Sequence, residues 1–287
     1  MNTISIFNKT YSIPSALPEV SGKTMFKILP HLVNFNADNE EDMLYRRAKV
    51  LHALLPIYNH QWNQLLYPNN VGVLHQLLGL TSFLFADFGT TPLFTEFSHK
   101  GIVYLLPSAR MANASLIEYA FADKAFLKLQ ALPNTPQGNK EKLELITRIT
   151  AILCRPQRTD ISLLSEEYEG DPRKKFSTPL VEARIEAFKN LPFSIKQAVF
   201  LYFVACRKWL HQNFKILFDD TKAKDDKKEG FAKTKLNAPD FGWMGIIFQL
   251  AESGTFGPFD EAKHFFLHTA CYHLSQKAYQ YYEANEN

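Results

Sequence analysis

Phe94-Thr95-Glu96-Phe97-Ser98-His99-Lys100-Gly101-Ile102-Val103-Tyr104-Leu105-Leu106-Pro107-Ser108-Ala109, followed shortly by Ser115-Leu116-Ile117-Glu118, holds both periodicities from which the fold is built. β-Prone residues run from Phe94 to Ser98, and His99-Lys100-Gly101 supply a turn. An apolar strand returns through Ile102–Leu106 and stops at Pro107, because proline offers a strand ladder no amide. Ser115 and Glu118 then form a capping box, in which each side chain satisfies an orphan amide of a first helical turn. The helix it opens continues through Phe121, Phe126 and Leu129 at helical spacing.

The start of the chain has a similar layout. Ile4–Phe7 and Thr10–Ile13 read as strands joined at Asn8-Lys9, and Pro14-Ser15-Ala16 matches Pro107-Ser108-Ala109, a weak internal repeat. An isolated hairpin is marginal in water, so the two are expected to pair into one small antiparallel sheet. The rest has helical period: Asp42–Leu66 with a bend at Pro56, Val71–Phe88, Asn139–Leu153, and helices opening at Thr178-Pro179, at Pro192 (running through Phe218), at Pro239 (reaching about Glu252) and at Asp260. The fold class that follows is α+β and predominantly α-helical, a multi-helix bundle with a small antiparallel β element of two hairpins in the N-terminal half. Gly170-Asp171-Pro172, inside the polar stretch Ile161–Ser177, suggests an irregular connection at 159–178 between an N-terminal half (1–158) and a helical C-terminal half (179–287). Within the latter, 219–238 reads as a mobile charged loop, since Asp219–Lys235 carries six lysines and five acids with almost nothing apolar to bury.

Composition bounds the function classes. With 46% hydrophobic and 21% charged residues the chain is of ordinary globular make-up, which excludes disorder throughout. A net charge of +3 is too small to drive binding to a phosphate backbone, which argues against a nucleic-acid partner. Cys154, Cys206 and Cys271 lie far apart with no CxxC pair, as reduced thiols of a cytoplasmic protein do. Met1–Lys9 lacks a secretory pattern, and the longest apolar stretches, such as Ala198–Ala205, fall short of a membrane span.

No catalytic constellation stands out. Ser21-Gly22-Lys23-Thr24 ends like a phosphate loop, but Leu17 stands where the motif needs glycine, so a helix start is expected. His264, His268 and Cys271 recur at i, i+4 and i+7, which on a continuous helix places three metal-ligand types on one face; a metal-dependent enzyme is the alternative this raises. Glu166, Glu167, Glu169 and Asp171 match no calcium loop and read as a solvated charge run, while Arg155 and Arg158 suit an anion or a helix C-terminus. Phe241, Trp243, Met244, Phe256 and Phe259 lie about a glycine-bounded helix, either as the core of a tight helical hairpin or as an apolar docking surface. A nucleic-acid adaptor working through Lys222–Lys235 is a further alternative.

Four segments carry a family resemblance: the hairpin ending Tyr11-Ser12-Ile13-Pro14, the strand Tyr104-Leu105-Leu106-Pro107 leading to Asn113 and Glu118, the helix end Leu153-Cys154-Arg155-Pro156, and Trp243 through Gly257. In these the chain resembles proteins of phages and prophages of the Bacteroidetes type encoded near genes for tail morphogenesis. The resemblance implies a non-enzymatic assembly factor, such as a tail assembly chaperone, or a structural component that binds other phage structural proteins. No cofactor is implied. The residues themselves are expected to make surfaces and cores, without a cluster of groups poised to move protons.

Overall fold

The computed structural model describes residues 1–16, 19–32, 40–55, 57–85, 89–160, 162, 165, 168–218 and 242–285. The charged loop, Pro56, Leu17, Glu166, Glu167, Pro239 and Phe241 lie outside them. The fold is α+β and mostly helical, with twelve α-helices and two small antiparallel sheets among the described residues.

The first hairpin pairs β1 (Asn2–Ile6) with β2 (Lys9–Ile13), and Ile6 opposes Lys9. The turn is therefore Phe7-Asn8, one residue earlier than expected, with φ of 55° and 59°. Positive φ at both turn residues matches the right-handed twist of the flanking strands. The second hairpin joins β3 (Glu96–His99) to β4 (Ile102–Leu105) through Lys100-Gly101, with φ of 50° and 76°.

The two hairpins do not pair with each other, contrary to expectation. Each is shielded separately: β4 takes a third strand, β5 (Arg155–Pro156), while the first hairpin buries Ile6 and Ile13 against helices.

Both hairpins lead into helical pairs. The first is followed by α1 (Gly22–Leu32) and α2 (Glu40–Leu54), the second by α5 (Leu116–Ala131) and α6 (Pro136–Leu153). Ser21 caps α1, its Oγ accepting the Thr24 amide at 3.2 Å, as the failed phosphate-loop match implied. The stretch expected as one bent helix over Asp42–Leu66 is two, α2 and α3 (Asn59–Leu65), followed by α4 (Val71–Gly79). After α7 (Thr178–Phe188) the long helix α8 (Phe193–Asn213) ends at Phe214, where φ −115° and ψ 43° break the period before α9 (Lys215–Phe218). The C-terminal region holds α10 (Gly242–Glu252), α11 (Phe259–Ala262) and α12 (Leu267–Asn285).

Buried apolar side chains form two clusters. The smaller gathers the first hairpin and α1–α4 around Ile13, Ile28, Leu29 and Leu51; the larger gathers α5–α8 and α10–α12 around Tyr119, Ile149 and Phe203. They meet on α8, where Val199, Phe203, Cys206 and Leu210 face the larger cluster and Ala198 belongs to the smaller. The division between clusters thus falls between Leu84 and Tyr104. Residues 159–178, expected to separate two halves, instead send Phe176 into the larger core, because Arg173 ties this segment to α5.

Candidate functional site

Glu118 is the third residue of α5, and its side chain is wholly buried. The capping box explains part of this: Ser115 Oγ accepts the Glu118 amide, and a Glu118 oxygen accepts the Ser115 amide, each at 3.4 Å. A buried carboxylate also needs a counter-charge, and two arginines supply it. Arg173 Nη1 donates to Glu118 Oε1 at 2.7 Å, and Arg155 Nη2 donates to Glu118 Oε2 at 2.9 Å. Asp171 closes the set, accepting from Arg173 Nε at 2.8 Å and from Arg155 Nη2 at 2.6 Å. Arg173 also donates to the carbonyls of Leu153 and Asn113, both at 3.0 Å.

The four charges cancel. Burial works against the Arg173 charge, but Glu118 and Asp171 outweigh it and hold its pKa above the ordinary guanidinium value. Burial lowers the pKa of Arg155, helped by the neighbouring Arg173, and Arg155 Nε has no hydrogen-bond partner among the described residues.

This quartet lies beside a cleft of about 470 Å³. Asn113 and Ser115 line it at the start of α5. Arg158, Glu169 and Lys175 come from β5 and the connection, and Asp260, Glu261 and His264 from the segment around α11; Phe176, Phe265 and Phe266 add aromatic surface. Of the acids expected as a solvated charge run, Glu169 is exposed, but Asp171 is 16% exposed and joins the quartet, because Arg155 and Arg173 draw it in. Most of the cleft's ionisable groups are spent on one another: Arg158 pairs with Asp160 at 3.0 Å, Lys175 with Glu169 at 3.4 Å, and Lys263 with Asp260. The His264 imidazole makes no hydrogen bond to a described residue, while its backbone amide donates to the Glu261 carbonyl at 2.9 Å. Burial, then Lys263, Lys175 and Arg155, hold its pKa below 6.5.

The expected metal face is not formed. His264 precedes α12, so the three residues do not share one helix. His268 Nε2 lies 2.8 Å from the Arg110 carbonyl, with its ring 5.2 Å from Trp209. Cys271 is wholly buried, and burial pushes its thiol up to about 12. Among the described residues no three His, Cys, Asp or Glu side chains are placed to hold a metal ion.

Of the five residues raised as a hairpin core or a docking surface, four are described. Trp243 stands edge-on to Tyr119 at 4.9 Å, and Met244 packs on the larger core. Phe256 is 5% exposed, and Phe259 stacks on Phe248 at 4.6 Å. These rings serve the fold of this chain, with Phe248 left half-exposed.

A different surface is open. On α3, α4 and the turn between them, Tyr58, Leu66, Tyr67, Val71 and Val73 are 45–67% exposed. The signal that would have found it is plain in the sequence: residues 50–86 contain no Lys, Arg, Asp or Glu. At the chain's 21% charged fraction, a run of that length would carry about eight. Lys9 Nζ lies 6.0 Å from the Tyr58 ring centroid. A Cβ added at Gly72 or Gly79 would meet nothing within 4 Å among the described residues, so their packing does not require either glycine. No helix among the described residues is long and apolar enough to cross a membrane. Comparison with protein-family profiles, curated sequences and solved structures finds no match for the chain.

Proposed function

We propose that the chain is a non-enzymatic protein-binding factor acting in the assembly of a larger particle, of the phage tail-associated kind its sequence resembles. The observation that carries this reading is the uncharged, partly apolar face of α3 and α4. Protein surfaces are ordinarily studded with charge, and charge depletion with exposed aromatic and aliphatic side chains is the mark of an interface core. The test is co-expression with products of neighbouring genes, tail-tube and tape-measure proteins first. Stable complexes lost on Tyr67→Asp would support the reading, and failure to bind any of them would remove its basis.

A second reading, a small polar ligand in the cleft, is favoured by the free imidazole of His264 beside convergent polar groups. A ligand-induced change in the His264 ring resonances would support it. Against it stands the mutual satisfaction of most neighbouring charges.

A further inference from the structure

Resting on the protein-binding reading, we infer that the α3–α4 face pairs with the same face of a second copy of this chain. A two-fold interface sets a surface against its own duplicate, so it must be self-complementary. Lysine only donates hydrogen bonds and an ionised carboxylate only accepts them, so faces rich in either repel their copies. Amides do both. Of the exposed polar residues between Tyr58 and Gly79, five are amides: Asn59, Asn63, Gln64, Asn69 and Gln76. With Lys, Arg, Asp and Glu absent from 50–86, two copies can meet here with charge brought in only from neighbouring segments, as by Lys9 beside Tyr58.

The glycines give the pairing a geometry. Gly72 and Gly79 are seven residues apart in α4, which places them on one stripe about two turns apart. Glycine inside an exposed helix costs about 1 kcal/mol relative to alanine; Gly72 is the second residue of α4 and Gly79 its last, and no described residue occupies the space above either one. A second α4 lying across the stripe would, since absent side chains let two backbones approach closely. Fifteen exposed residues lie between Tyr58 and Gly79, half to three-quarters of the roughly 20–30 residues per side that a stable interface of standard size uses.

Sedimentation of the full chain decides the matter. The expected result is a particle of twice 33.0 kDa, little changed between low and molar salt because no ion pair holds it. Val71→Lys with Val73→Lys should weaken association at least about 100-fold, since burying unpaired charge is prohibitive. Gly72→Leu should do the same by filling the stripe, and the open space above Gly72 means the folded chain tolerates it. Circular dichroism and melting temperature check both variants. A chain that stays at 33.0 kDa up to its solubility limit overturns the self-pairing; if it still binds a purified neighbouring gene product and Val71→Lys/Val73→Lys abolishes that binding, the wider reading survives alone. A dimer that persists in both variants also overturns the proposal, placing the contact on another surface.

Discussion

Arg173 keeps its charge at 0% side-chain exposure because every donor has an acceptor: Glu118, Asp171 and two carbonyls. Removing one member of a buried ion set strands the others, so Arg173→Met is expected to destabilise the fold by about 3–5 kcal/mol in urea denaturation. Arg148→Ala, which breaks an exposed bridge to Glu182, should cost under about 1 kcal/mol. His264 and His268 both hold pKa values below 6.5 in the fold, through burial first. The unfolded chain therefore binds more protons, so their contribution is whole above about 6.5 and is lost as pH falls through the folded values. Urea midpoints measured from pH 8 to pH 5 should fall, and His264→Gln should flatten part of that slope; an unchanged slope would remove His264 from the account. Burial raises the pKa of all three thiols, those of Cys206 and Cys271 to about 12. Alkylation at pH 8 should thus leave the native chain unlabelled and modify all three cysteines after unfolding. Residue patterns announced the Ser115–Glu118 cap but not its second role, because the charges that bury Glu118 come from 37 and 55 positions further along the chain.

At the scale of elements, periodicity located the helices better than it located their breaks. The split between α11 and α12 is set by tertiary contact: the Leu116 and Ile117 amides donate to the carbonyls of Phe265 and Lys263, each at 2.9 Å, which holds that segment as a turn. An i, i+4, i+7 spacing of His264, His268 and Cys271 therefore never became a shared face. The hairpins were legible from strand patterns and turn residues, yet their mutual pairing failed because each found another cover. Glycines also part company here. A Cβ at Gly138 would stand 2.2 Å from the Pro133 carbonyl oxygen, so Gly138→Ala should lower stability by about 1–3 kcal/mol, as overpacking does. Calorimetry of that variant reads the effect directly.

For the whole molecule, the boundary that matters runs along α8. Ala198 is 2% exposed and belongs to the smaller core, while Val199 beside it belongs to the larger. Ala198→Trp should pry the N-terminal unit away, and hydrogen exchange would then rise across 1–85 while 104–214 stays protected. Composition could not reveal this division, because both cores draw on the same aliphatic and aromatic residues. Within the larger core, one stitch joins segments far apart in the chain. Ser115 and Phe266 form an isolated bridge, and the Leu267 amide donates to the Ala114 carbonyl at 2.9 Å. During synthesis, then, the first turn of α5 waits about 150 residues for its partners. A ribosome must deliver the residues up to about Leu267 before the middle can close, and a nascent chain halted at residue 260 should remain open to protease at that helix.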